Sequence, residues 1–237
     1  MEVFGIVLIV LVVVGLIGVA AYYAHKAEQE RIAALRQIAA GYGWSFDQGS
    51  DTRHDDVYGC FSVFRQGHSR RAYNTISGTH EINGSPHPIK MGDYLYKVTT
   101  HNGKSSQTTT YRLSYLILHL PYAGVPDLMI RAENFFDKIG AAIGFDDIDF
   151  ESAEFSRKFL VKSSDKRFAY DVVTPRMMEF LMASPKRSID QQRGMICITN
   201  GVRRWKPEEF LPNLGWVSEF VDLWPDHVVR ELEERTR

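Results

Sequence analysis

The sequence predicts an α+β protein with mainly antiparallel pairing, carried behind a single N-terminal transmembrane helix. Three observations predict it: an unbroken apolar run at the start, period-two patterning around a central Asn-Gly pair, and short strands mixed with amphipathic helices in the second half. Together they divide the 237 residues into an anchor at 1–25, a juxtamembrane helix at 26–46, a β-rich part at 47–132 and a mixed α+β part at 133–237.

The first element is the apolar run Val3 to Ala24, which holds no charged and no strongly polar side chain. As a helix it is roughly 33 Å long, enough to cross a hydrocarbon core of about 30 Å. A cleavable secretory signal has a basic n-region and a shorter apolar stretch. Here Glu2 is the charged side chain before the run and the apolar stretch is too long, so a retained anchor is expected even though Gly18-Val19-Ala20 has the small-x-small form of a cleavage site. Lys26, Arg31 and Arg36 follow the run and no Lys or Arg precedes it. Positive flanks stay in the cytoplasm. The expected topology is therefore single-pass in a bacterial inner membrane, with the N-terminus out and the C-terminal domain cytoplasmic. Residues 3–24 make the lipid bilayer the first expected partner.

His25 to Ala40 continues as a helix with Ile32, Leu35 and Ile38 or Ala39 on one side, and Gly41 and Gly43 stop it. Trp44 and Phe46 enter the core. Asp47 to Asp56 is polar and reads as a loop, and the sequon Asn83-Gly84-Ser85 has no role in a cytoplasmic domain. Strands are expected at Cys60–Arg65, Arg71–Gly78 and Asp127–Arg131. Asn102-Gly103 is a favoured two-residue hairpin loop. Pairing outward from it sets Tyr94 opposite Tyr111 and Asp93 opposite Arg112, and Tyr111, Leu113, Tyr115 and Ile117 then alternate as one face. In the second half helices are expected at Glu133–Ile143, Asp165–Val172, Pro175–Ala183, Lys206–Leu223 and Asp226–Arg235. Strands are expected at Glu154–Val161, Ser188–Gln192 and Met195–Thr199, the last two joined at Arg193-Gly194. Strands followed by mixed strands and helices indicate α+β.

Composition narrows the function. A formal net charge of -1 leaves no electrostatic footprint for nucleic acid. The cysteines, Cys60 and Cys197, are far apart and suit a reduced compartment. Gly103-Lys104-Ser105 copies the end of a phosphate-binding loop, but Val98 stands where the motif needs its first Gly, and a strand pattern follows instead of a helix. Asp146, Asp147, Asp149 and Glu151 form the densest acidic cluster. In an extended chain Asp147, Asp149 and Glu151 share a face and could hold Mg²⁺ or Ca²⁺, while Ile148 and Phe150 would point to a core and leave the acids solvated. His80 and His87 flank a Gly/Pro turn, where histidines are usually exposed. No zinc spacing, nucleophile elbow or cofactor pattern is present, so no catalytic residue is assigned. Two short basic groups, Arg70 and Arg71 in one and Arg203, Arg204 and Lys206 in the other, are candidates for contact with anionic lipid or a partner.

The segment Phe155 to Met182 (FSRKFLVKSSDKRFAYDVVTPRMMEFLM) resembles an uncharacterised bacterial membrane-protein family. The resemblance rests on Phe155, Phe159, Val161, Asp165, Ala169, Thr174, Pro175, Met178, Glu179 and Leu181, a strand, a Ser-Asp turn and a Thr-Pro helix start. That family has no established activity, ligand or catalytic residue, so the resemblance implies a membrane-anchored fold and nothing more. The reading that follows is a membrane-anchored binding or scaffold domain engaging a protein partner or the membrane surface. The alternative is an enzyme using the acidic cluster 146–151 with a divalent metal.

Overall fold

The computed structural model describes residues 2–103, 105–132, 145–183 and 187–237. Helix α1 (Glu2–Gly41) crosses the expected boundary at residue 25 without a break. It is the described helix long and apolar enough to cross a membrane, by length and composition. Leu11 to Val19, Tyr22 and Tyr23 are exposed along it, whereas Ile32, Leu35 and Ala39 are buried one turn apart, as the spacing predicts. The helix closes as expected at its glycines: Gly43 takes φ 66°, its N–H bonds the Ala40 carbonyl, and the Trp44 N–H bonds the Ala39 carbonyl at 2.8 Å.

Strand β1 (Ser45–Asp51) occupies what the polarity of 47–56 predicts to be a loop. It is a solvated edge strand, paired on one side to β2 (His68–Ile82), so it carries no apolar alternation by which to be found. Trp44 lies flat over β2 because Gly78 has no Cβ to meet its ring, and its Nε1 donates to the Thr79 carbonyl. Helix α2 (His54–Tyr58) follows β1, and a 3-10 turn at Ser62–Arg65 stands where the strand Cys60–Arg65 is expected. Aromatic and β-branched residues there serve a buried corner rather than a ladder.

The long strands are β2, β3 (Ser85–Asn102) and β4 (Ser105–His119). Asn83 and Gly84 both have positive φ and form the turn between β2 and β3, so the sequon is a hairpin turn. His80 pairs with His87, and His87 is buried, not exposed, with Nδ1 3.0 Å from the His119 carbonyl. The β3–β4 register differs from the expected one by two residues: Asn102 pairs with Ser105, Tyr96 with Tyr111, and Asp93 with Ser114. A two-residue slip keeps every side chain on its own face, so apolar patterning cannot detect it. Stacking of Tyr96 on Tyr111, 5.1 Å between centroids, accompanies the observed register.

Strand β5 (Leu128–Ala132) is as expected, and the helix expected at Glu133–Ile143 lies outside the described residues. The strand expected from Glu154 is first a helix, α3 (Ala153–Lys158), capped by Ser152 Oγ, and only then β6 (Phe159–Ser163). Phe155 and Phe159, four apart, stack at 4.9 Å, which is helical rather than strand spacing. Helices α4 (Lys166–Val172) and α5 (Pro175–Ala183) and the hairpin β7 (Ser188–Gln192) to β8 (Met195–Thr199) follow as predicted. A 3-10 turn at Pro207–Glu209 opens α6 (Phe210–Asp222), and α7 (Asp226–Thr236) ends the chain.

Among the described residues the eight strands form one antiparallel sheet in the order β1-β2-β3-β4-β8-β7-β5-β6. Strands from 47–132 and from 133–237 therefore share one sheet, with β5 between β6 and β7. Its central strands are buried on both faces. One face carries Ile89, Met91, Leu116 and Leu118 against Leu35 and Ala39 of α1 and the apolar sides of α4 to α7. The other carries Tyr94, Tyr96, Leu113, Tyr115 and Ile117 against Tyr58, Phe61 and Phe64.

Candidate functional site

Where α1 crosses the sheet, the core gives way to a cluster of charges built around one buried carboxylate. Asp93 of β3 is fully buried and accepts five hydrogen bonds. Arg31 of α1 donates two, from Nε at 2.9 Å and Nη2 at 2.6 Å, and Arg204 donates one from Nη2 at 2.9 Å. Ser114 Oγ at 2.7 Å and Asn74 Nδ2 at 3.3 Å complete the set. Arg204 also forks onto Glu28 of α1, at 3.0 and 3.1 Å, and Asn74 Nδ2 reaches Glu28 at 3.0 Å.

Local structure explains how these groups meet. Glu28 and Arg31 are three apart, on one side of α1. Asn74 sits at a bulge of β2 with φ 51°, a conformation Asn tolerates, and Gly92 opposite leaves room for its backbone. The segment 203–205 is laid along β4: the Ser114 N–H donates to the Arg203 carbonyl, and the Trp205 N–H donates to Ser114 Oγ. Arg31 reaches the Trp205 carbonyl as well. The helix, the sheet and the 203–205 segment are thus joined at one point.

The two positive and two negative groups compensate one another. Burial alone would raise the Asp93 carboxyl, but the Arg31 and Arg204 guanidiniums outweigh it and hold it below the usual carboxylate range. Glu28 is likewise held low, burial being outweighed by Arg204 and Asn74. Such a carboxylate stays ionised and is spent on structure; it is no proton acceptor at neutral pH.

Two grooves flank α1 here. One, of about 610 Å³, runs between Ala24, Ala27 and Arg31 on the helix and Trp205, Lys206 and Pro207 on the facing segment. The other, of about 390 Å³, lies on the opposite side of Glu28 and Arg204 and is lined by Ser50, Arg71, Tyr73, Leu95 and Arg112.

A separate buried polar group lies under α2. His54 is packed among Tyr58, Phe64, Tyr94 and Tyr115, with no hydrogen-bond partner for either ring nitrogen among the described residues. Burial, aided by the positive charge of Lys90, pushes its pKa down to about 3, so it is neutral in the fold.

The residues singled out in the sequence are dispersed. Arg70 is committed to Asp55 at 2.7 Å and to the carbonyls of Arg65 and Gly67. Arg203 forks onto Glu209 at 2.9 Å twice. Arg204 is half-buried and held by Glu28 and Asp93, while Arg71 and Lys206 are exposed in the grooves. In the acidic stretch Ile148 and Phe150 are buried, and Asp146, Asp147, Asp149 and Glu151 are exposed. Asp147 meets Lys162 at 2.8 Å, and Asp149 offers its carbonyl to Tyr170. Among the described residues no three His, Cys, Asp or Glu side chains gather as a metal would require. Glu28 and the burial of Asp93 escape sequence reading, because nothing local marks a charge for burial or pairs it across 62 to 176 positions.

Comparison with protein-family models and with curated proteins gave no match, so the resemblance of 155–182 stands on those residues alone. Among solved structures, the chain matches the crystal structure of the mycobacterial trehalose monomycolate transport factor A, TtfA. The TM-score is 0.55 at 11% identity, over 82% of this chain and 96% of that one. The likeness is one of fold. It agrees with the α+β class read from the sequence.

Proposed function

We propose that the chain is a single-pass membrane protein whose α+β domain binds rather than transforms: it engages a protein partner or the membrane surface. Residues 3–24 span a bacterial inner membrane, with the N-terminus out and the domain in the cytoplasm. The observation that carries this reading is the continuity of α1. Its exposed apolar residues pass without interruption into a stretch that is buried at Ile32, Leu35 and Ala39 and pinned by Glu28 and Arg31. A detachable leader has no need of such a joint, whereas an anchor that must hold a domain in one orientation does. The structural neighbour supports the same reading, since it is by name a transport factor.

Membrane fractionation tests it. The full chain is expected to stay in the membrane pellet through alkaline carbonate, to keep its N-terminus by mass spectrometry, and to resist protease in intact spheroplasts. Mature protein beginning near Ala21, or digestion of the domain from outside, overturns the reading.

A further inference from the structure

Arg71, Leu95 and Arg112 form one row across the adjacent strands β2, β3 and β4. Strands lie about 4.8 Å apart, so the two arginines start roughly 10 Å from each other on the same face. Two extended side chains close that gap easily. Leu95 between them is buried, and Tyr73 and Ser50 complete the walls of the 390 Å³ groove. The side chains of Arg71 and Arg112 make no hydrogen bond or ion pair to any described residue, unlike those of Arg70, Arg203 and Arg204.

Charge accounting is simple here. Glu28, Asp93, Arg31 and Arg204 cancel, so the groove keeps the two positive charges of Arg71 and Arg112. Planar guanidinium forks match the oxygens of a phosphate or a carboxylate, and a phosphate presents enough oxygens to take both forks at once. The location narrows the source of that phosphate. Glu28, in the groove wall, is four residues beyond Ala24, roughly 6 Å along the helix from the end of the apolar run. That distance falls inside the headgroup layer, which adds about 5–8 Å to each side of the hydrocarbon core.

We infer that this groove is a binding site for the phosphate of an anionic lipid headgroup, held between Arg71 and Arg112 beside the emerging helix. The inference rests on the membrane-anchored reading and names the surface ligand that reading leaves open.

Native mass spectrometry of the full chain in neutral detergent tests it, with phosphatidylglycerol as the probe. One phosphatidylglycerol per chain is expected to outlast phosphatidylcholine during delipidation. Arg71→Gln with Arg112→Gln is expected to weaken retention roughly thirtyfold, at the strength usual for two basic residues at a charged surface. Both side chains are exposed, so the melting midpoint should not move. Arg71→Lys with Arg112→Lys, which keeps charge and loses the forks, should fall between the two. Arg203→Gln should match the wild type, because that side chain is already held by Glu209. Equal retention of the two lipids, or retention unchanged in the double Gln variant, overturns the site. Displacement of the lipid by an equal concentration of inorganic phosphate overturns the lipid source and assigns the groove to soluble phosphate. A chain that leaves the membrane in carbonate defeats the anchored reading instead, so the two failures are distinct.

Discussion

Two charge clusters in this molecule make a contrast. Residues 146–151 put four carboxylates within six positions, and all four face solvent. Glu28, Arg31, Asp93 and Arg204 are scattered over the chain, yet they meet at the joint between helix and sheet, and Asp93 is wholly buried. Density in sequence produced a solvated edge, with Ile148 and Phe150 taking the inward positions. Dispersion in sequence produced a cluster of mutual dependence. Adjacent like charges repel and seek water, whereas opposite charges brought together by a fold can leave it.

The sharpest way to break this contrast is Asp93→Ala. It leaves the largely buried Arg31 without its carboxylate and Arg204 with Glu28 alone, and is expected to destabilise the domain by about 3–5 kcal/mol. Thermal unfolding in detergent should show a fall of many degrees, and a fall of only a degree or two would mean that the charges are not coupled.

Acid comes next. The carboxyls of Asp93 and Glu28 are lower in the fold than their ordinary values of 3.8 and 4.5. Their stabilisation is therefore complete above those values and is lost as pH falls through the lowered ones. His54 acts earlier: it is pushed from 6.5 to about 3, so the unfolded chain takes up a proton that the fold refuses. Stability should decline from pH 6.5 downward by up to about 1.4 kcal/mol per pH unit. In His54→Phe, denaturant midpoints between pH 6 and 4 should flatten while the wild type slopes.

Least of all is expected from Asp147→Asn, under about 1 kcal/mol, since its ion pair with Lys162 is at the surface. A larger loss in denaturant titration would make the acidic stretch structural and end the contrast.

The joint's invisibility in the sequence has a specific cause. Starting the hairpin at Asn102-Gly103 pairs Asp93 with Arg112, an attractive opposite-charge pair that satisfies both. The true register, two residues away, gives Asp93 to Ser114 and to arginines on other elements. It also leaves Arg112 without a carboxylate among the described residues, which is why the groove keeps its charge beside that of Arg71. Similarly, α3 was hidden because Phe-x-x-x-Phe-x-Val satisfies a strand from Phe159 and a helix before it equally well. β1 was hidden because, after Phe46, this edge strand is polar and solvated and has no period to read.

What the sequence determined by itself was everything that depends on neighbours along the chain. The apolar run made a membrane-length helix, Ile32, Leu35 and Ala39 made its buried face, and Gly43, Pro175 and Arg193-Gly194 marked starts and turns. Tertiary structure alone decided which charges meet, which strand register holds, and which arginines find no carboxylate among the described residues. Those outcomes depend on through-space pairing over many tens of residues, and electrostatic partners carry no local signature until the fold has brought them within 3 Å.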